Sequence, residues 1–253
     1  MLFGDVSFSV ASHAAWVPGI DSAKAWQRWI NGDLSAAGSG EPAVKSMPPM
    51  LRRRASLAGK FALEAAYAAL PLDDDDLPVV FASRHGECAR SVELLQELAA
   101  GTPLSPTSFS LSVHNANAGL FSIARHARGN GIAVSAGQST VEHAVIEACG
   151  LLADGAPRVL LVMADGPLPA AFHSFRDCRE EPFGWAWLMQ AADETENLPC
   201  ISLQWSAPDT TVLAAADASA GGIDVLRFFL NPHPASNLIR QADGRRWHWI
   251  RHV

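Results

Sequence analysis

Charge is scarce in this chain. Asp, Glu, Lys and Arg make up 18% of its 253 residues, against 49% hydrophobic residues. So small a charged share leaves much apolar surface to bury, in a core and in a permanent subunit interface. A basic excess is missing as well: the formal net charge is −7, which argues against nucleic-acid binding. The one basic run, Arg52-Arg53-Arg54, reads as a solvated helix start. Cysteine is rare, and Cys88, Cys149, Cys178 and Cys200 form no C-x-x-C pair. Neither a zinc site nor a disulfide framework is expected, and reduced core thiols in the cytoplasm fit better. The nine histidines include no H-E-x-x-H or comparable ligand spacing. No apolar run reaches the roughly 18 residues of a membrane span, and the N-terminal stretch has no basic n-region of a signal peptide. No internal repeat is visible, and the length allows one large domain or two small ones.

What is present is a pattern of alternating strands and helices. Val6 to Val10 alternate as a first strand, and Trp26, Trp29 and Ile30 mark a short helix face. Ala36 to Pro49 is rich in Gly, Ser and Pro and reads as a loop. Leu51 to Leu70 reads as one Ala-rich helix with Leu57, Phe61 and Ala65 along one side. It ends at Pro71, before an acidic linker from Asp73 to Asp76 whose adjacent carboxylates cannot converge on one ion. Val79 to Ser83 follows as a buried strand, then a polar turn Arg84-His85-Gly86-Glu87 and a helix marked by Val92, Leu94, Leu95 and Leu98. Ala116 to Ala127 reads as a helix packed through Ala116, Leu120, Ile123 and Ala127. In the tail, Phe183, Trp185, Trp187 and Met189 alternate, as do Ile201, Leu203 and Trp205, and Trp247 and Trp249. These predict antiparallel or edge strands sharing an aromatic face, with a helix from Gly222 to Leu230 between the last two. The expected class is α/β with a mixed sheet.

The stretch from Asn130 to Leu152 carries the chemistry. A short strand (Ile132, Ala133, Val134) turns through Ala136 and Gly137 into a helix with Val141, Ala144, Val145, Ala148 and Leu152 on its packed face. Together with the strand Val159 to Met163 it forms a βαβ unit, whose parallel strands are expected in the sheet centre. Such an elbow is where acyl-transfer enzymes hold a nucleophile, because helix N-terminal amides can hold an oxyanion. The tip here is Gln138, and an amide is not a nucleophile.

The run Ser105-Pro106-Thr107-Ser108-Phe109-Ser110-Leu111-Ser112-Val113-His114-Asn115-Ala116-Asn117-Ala118-Gly119 resembles the segment of β-ketoacyl synthases that leads to their dimer-interface helix. The spacing to the elbow and on to Ala164-Asp165-Gly166 is similar to that family too. So are Phe81-Ala82-Ser83-Arg84-His85-Gly86-Glu87 and Gly184-Trp185-Ala186-Trp187. More narrowly, the chain resembles the short ketosynthase-like subunits of aryl-polyene-type and related type II polyketide or fatty-acid systems. The resemblance covers residues 1 to 190. It implies a thiolase-like fold truncated in its C-terminal half, one domain over 1–253 with a short divergent part from 191, and a heterodimer with a catalytic ketosynthase.

Two departures bear on activity. Ketosynthases carry a Cys at the elbow tip, and none of the four cysteines lies within this turn. They also use two C-terminal histidines, whereas no H-G-T-type motif surrounds His233, His248 or His252. Chain length factors are similar to this chain in carrying Gln at the tip. The resemblance therefore implies a non-catalytic partner that shapes the ketosynthase's acyl tunnel and needs no cofactor of its own. Phosphopantetheine thioesters of the acyl carrier protein would react on the partner subunit. It points to His114, Asn115, Asn117, Leu120, Phe121 and Ala124 at the interface or tunnel. It also points to Ile132, Ala133, Val134 and Ser135 in a strand paired across the dimer axis. The plainer readings are core positions for Leu120 and Phe121, and an ordinary central strand. Gln138 either satisfies backbone groups at the turn, or mimics a thioester carbonyl, or helps the partner decarboxylate its extender unit. His143 reads as a surface or interface histidine. Two other classes compete. One is a serine hydrolase or acyltransferase using Ser139 with His143 or His173, against which Val141 stands where G-x-S-x-G needs Gly. The other is an active condensing homodimer with a different nucleophile.

Overall fold

The computed structural model describes residues 2–36, 40–71, 76–193, 197–209, 219–232 and 237–252. Its strands are β1 (Leu2–Trp16), β2 (Val79–Ala82), β3 (Gly131–Val134), β4 (Val159–Asp165), β5 (Phe183–Ala191), β6 (Cys200–Ser206), β7 (Asn237–Ala242) and β8 (Arg245–His252). Its helices are α1 (Ala23–Ile30), α2 (Pro49–Arg52), α3 (Leu57–Ala69), α4 (Cys88–Ala99), α5 (Pro106–Ser110), α6 (Ala116–Arg125), α7 (Thr140–Ala153) and α8 (Gly221–Leu230). The strands form one 8-stranded sheet in the order β3-β2-β4-β5-β1-β6-β8-β7. β2 runs parallel to β3 and β4, and the other pairings are antiparallel, so the sheet is mixed as its sequence pattern predicts.

Strand alternation sorts the core onto two faces. Val80, Leu161, Met163, Trp185, Trp187, Ile201, Leu203, Trp247 and Trp249 point to one side, where α7 and α8 cover them. Trp187 lies 6.5 Å from Trp249 and 4.5 Å from Trp185, so the alternating tryptophans do share a face. Val79, Phe81, Leu160, Val162, Ala186 and Leu188 point to the other side, under α3 and α6. α3 lies close because its inner face is Ala62, Ala65, Ala66 and Ala69 and because β5 carries Gly184 beneath it. A Cβ on Gly184 would stand 2.3 Å from the Phe61 carbonyl oxygen. This second layer stops short of β6 and β8, whose outer-face residues Gln204, His248 and Ile250 are half-exposed.

Several sequence expectations change. The first strand runs from Leu2 to Trp16 rather than Val6 to Val10, because it pairs on both edges, with β5 and β6. The helix expected over Leu51–Leu70 is broken. α2 stops at Arg52, and the Ser56 hydroxyl caps a new start by accepting from the Gly59 N–H (3.0 Å), which leaves Leu57 52% exposed. On α6, Ala116 and Leu120 are buried but Ile123 is 61% exposed, and Ala127 lies past the left-handed cap at His126. Ala118, Phe121 and Arg125 are buried instead. The elbow strand β3 is a half-buried edge strand, and β2 lies between it and β4, so the βαβ crossover skips one position. β5, in contrast, is central and buried on both faces. β7 is an additional strand. Asp73 to Asp75 and His233 lie outside the described residues. Asp76 accepts from the Arg128 N–H (3.0 Å).

Candidate functional site

The elbow leaves β3 at Val134, tightens in a single 3-10 turn over Gly137–Ser139, and continues as α7. Thr140 fixes the turn on itself: its hydroxyl donates to the Gly137 carbonyl (2.8 Å) and accepts from the Ala136 N–H (3.0 Å). Gly137 has φ +57°, and a Cβ there would sit 3.1 Å from a carboxylate oxygen of Asp243. Only glycine meets both conditions without strain. Gln138 is half-buried, and its side-chain amide donates to Asp177 Oδ2 (2.9 Å).

In front of the tip stands a polar cluster from the β2 and β4 ends. Arg84 grips Asp177 through both carboxylate oxygens (2.8 and 2.9 Å) and donates to Cys178 Sγ (3.0 Å). Burial works against the charge on Asp177, yet the bonds from Arg84 and Gln138 hold its carboxyl below the usual range. Asp165, buried at the end of β4, accepts from the Ser83 hydroxyl (2.7 Å) and the N–H groups of Arg84 (3.0 Å) and His85 (3.2 Å). The Ser135 hydroxyl donates to the Arg84 carbonyl (3.1 Å), which ties the edge strand to the same cluster.

Behind the tip, the β7–β8 hairpin closes on α7. Asp243 Oδ2 accepts from the Ser139 N–H (2.7 Å), and Arg240 donates to the Gln138 carbonyl (3.1 Å). Arg240 also pairs with Glu142, which is fully buried and accepts from the Trp249 indole (3.3 Å). A second carboxylate, Asp224 of α8, lies 3.5 Å from Arg240. The Ser139 side chain is fully buried and accepts from the Trp247 indole (3.1 Å). His143, half-buried, packs its ring against Trp247 and donates from Nδ1 to the Ser139 carbonyl (2.9 Å), so its ring supports the turn. A Ser139 nucleophile with His143 as base is therefore not assembled: the hydroxyl is sealed under Trp247 and the imidazole is engaged on main chain.

Asp224 gives the cluster a pH signature. Burial pushes its carboxyl up to about 6, with Arg240 and Arg227 pulling the other way. The folded chain thus binds this proton more tightly than the unfolded chain. The stabilisation is complete below the unfolded value near 3.8 and is lost as pH rises to about 6. With the side chain still 28% exposed, solvent screening trims the loss to ~1–2 kcal/mol. Urea denaturation across pH 4 to 7 is expected to show this decline, and Asp224→Asn to flatten it.

The remaining sequence-derived positions fall into two groups. His114 donates from Nε2 to the Ser83 carbonyl (2.8 Å), and Asn117 donates to Glu87 (2.9 Å), beside a cavity of about 20 Å³. Leu120 and Phe121 turn into the chain's own core, where Phe121 meets Tyr67 and Phe81, and Ala124 packs partly against them. Leu120 and Phe121 are thus buried within this chain, and Ala124 is half-buried. The outward stripe of α6 is Asn115, Gly119 and Ile123. A cleft of about 190 Å³ lies between it and the sheet edge, lined by Asn115, Gly119, Phe121, Ser122, Gly129 and Gly131. Ile132 and Val134 pack toward α7, Ala133 is half-buried, and Ser135 is exposed. Sequence reasoning missed Arg84, Asp177, Arg240, Asp243 and Trp247 at the elbow. The signal for one of them was present: Asp243-Gly244 between alternating segments is a strong hairpin dipeptide.

The β-ketoacyl synthase N-terminal domain matches residues 26–250. The chain belongs to this family. The match runs past residue 190 and takes in the hairpin. Among solved structures, the chain is similar to one chain of the complex of the ketosynthase ApeO with its chain length factor ApeC from Xenorhabdus doucetiae. The TM-score is 0.81 at 26% identity, over 97% of this chain and 99% of that one. It also resembles the ishigamide ketosynthase/chain length factor (TM-score 0.62, 16% identity, 79% of this chain and 67% of that one). A β-ketoacyl synthase from Burkholderia phymatum is similar at TM-score 0.62 and 12% identity, over 81% of this chain and 65% of that one. No curated protein sequence matches. The fold is thus the thiolase-like ketosynthase fold in truncated form, and its short length is shared with the matched Xenorhabdus chain. No cluster of metal-ligating side chains occurs among the described residues, and no helix there is long and apolar enough to cross a membrane.

Proposed function

We propose that this chain is a non-catalytic, chain-length-factor-like partner of a β-ketoacyl-carrier-protein synthase in cytoplasmic type II polyketide or fatty-acid assembly of the aryl-polyene kind. The observation that carries this reading is the elbow tip. A condensing enzyme needs a thiolate there, and this chain holds the Gln138 amide against Asp177. The likeness to a chain from the ApeO–ApeC complex supports the same reading.

The heterodimer would form through β3, which on its outer edge has no neighbouring strand among the described residues, and through the Asn115, Gly119 and Ile123 stripe of α6. Nearby Leu95, Leu98, Phe109 and Val113 are exposed apolar side chains that a partner would cover. Leu120, Phe121 and Ala124 set how far α6 stands from the core, so they shape the partner's tunnel indirectly, while His114 and Asn117 fix the entry to that helix. The carrier protein and its phosphopantetheine thioester would be met on the ketosynthase, and this chain would hold no cofactor.

Co-expression with a ketosynthase of the same system tests the proposal. The expected result is a stable 1:1 complex whose product length depends on this chain, and poor solubility of the chain alone. A well-behaved monomer that leaves condensation unchanged would overturn it. Within the complex, Gln138→Ala separates the roles of the tip. A slower decarboxylation of the extender unit at unchanged complex stability indicates assistance across the interface, and an unchanged rate indicates a structural amide.

A further inference from the structure

An elbow of this shape has a use for the positive end of α7. Unpaired amides at a helix N-terminus lower the pKa of a thiol beside them and stabilise an oxyanion. The missing nucleophile is one reason the turn is inert, but the structure holds a second. We infer that Asp243, carried in by the β7–β8 hairpin, silences the elbow electrostatically: its carboxylate takes the amide beside the tip and places negative charge where acyl transfer needs a positive field. This rests on the non-catalytic reading above and explains how that state is built into the fold.

The geometry is specific. Asp243 Oδ2 lies 2.7 Å from the Ser139 nitrogen. Its two carboxylate oxygens lie 3.1 and 3.2 Å from where a Cβ on Gly137 would be, so the charge sits against the turn on both sides of the bond. The hairpin has little freedom to withdraw it. Asp243 (φ +49°) and Gly244 (φ +72°) are both left-handed, the backbone of a tight two-residue connection. Arg240 and Trp247 pin the flanking strands to Gln138, Glu142 and Ser139.

The other charges around the tip are largely matched. Asp177 is neutralised by Arg84, and Arg240 by Glu142 and Asp224. His85 pairs with Glu180, Asp165 is held by main-chain N–H groups, and His143 faces the Ser139 carbonyl. Among the described residues, no ion pair reaches Asp243. Asp243 thus sets a carboxylate without an ion-pair partner directly against the turn.

The test installs the absent nucleophile in the heterodimer. Gln138→Cys is compared with Gln138→Cys/Asp243→Gly and Gln138→Cys/Asp243→Asn, following iodoacetamide alkylation of the introduced thiol against pH by peptide mass spectrometry. Glycine suits the left-handed backbone at 243, and asparagine keeps an acceptor for the Ser139 N–H without the charge. With Asp243 present, the thiol is expected to react with a pKa at or above the ordinary value of about 8.5. Both double variants are expected to move the profile down by about one unit, a roughly ten-fold faster alkylation at pH 7. Because Asp243 is solvent-exposed, 1 M salt should shrink the difference. Coincident profiles in the single and double variants would overturn the inference, as would a shift in the glycine variant alone, since that assigns the effect to altered packing. Failure of the underlying reading shows elsewhere: the wild-type heterodimer would condense with the ketosynthase nucleophile blocked.

Discussion

Arg240→Ala is expected to destabilise the fold by about 3–5 kcal/mol, the cost of leaving a buried carboxylate without its partner. Glu142 has no exposed side-chain surface, and one of its oxygens has no hydrogen-bond partner. The other is shared by Arg240 and the Trp249 indole. Removing the guanidinium leaves a single neutral donor on a fully desolvated charge, and also frees the Gln138 carbonyl and Asp224. A chain of this size should then melt roughly 10 °C lower or more.

A purely steric role for Arg240 would give a different pattern. Arg240→Met combined with Glu142→Gln keeps the volume and keeps an acceptor for Trp249 while removing both charges. Buried pairs replaced together often cost little. The double variant is therefore expected to recover the part of the stability lost by Arg240→Ala that comes from Glu142, while Asp224 and the Gln138 carbonyl stay without their partner. If it melts as low as the single variant, the loss comes from packing of the hairpin rather than from an unpaired charge. Differential scanning fluorimetry of the purified variants decides between them.

The elbow itself was legible in the sequence because its signals are local. The α7 stripe of Val141, Ala144, Val145 and Ala148 is buried as its period requires, and Gly137 supplies the left-handed turn residue. The partners that define the site were not legible, because they arrive from about forty and a hundred residues away. Asp177 comes from the β4–β5 connection and Asp243 from the last hairpin, and no periodicity links either to Gln138. The residues of β3 left its position open for another reason. Ile132-Ala133-Val134 is a short apolar run that fits a central strand and a strand covered by a partner equally well, since both are buried in the assembly. On α6 the difficulty was composition: small residues on several sides leave the choice of inner face to Phe121 and Arg125, which pack with Tyr67.

Ala133→Pro is expected to leave the chain folded but to weaken the heterodimer at least a hundred-fold, about 3 kcal/mol in binding. In a parallel pair, the N–H and C=O of alternate residues point to the same neighbour. The carbonyls of Asn130 and Val134 accept from Val79 and Ser83 (2.8 and 3.1 Å), so 130, 132 and 134 serve β2. Gly131, Ala133 and Ser135 therefore turn their main-chain groups to the outer edge. Proline at 133 removes the central outward N–H and puts a ring in the path of an incoming strand, yet touches no bond to β2. Ala133→Val is the matched control, since it adds bulk and strand propensity but keeps the N–H. If the interface is built by strand pairing, the proline variant elutes separately from the ketosynthase in gel filtration while the valine variant stays bound. If both stay bound, the contact runs through α6 and the Leu95–Leu98 surface, and the open edge of β3 serves another purpose.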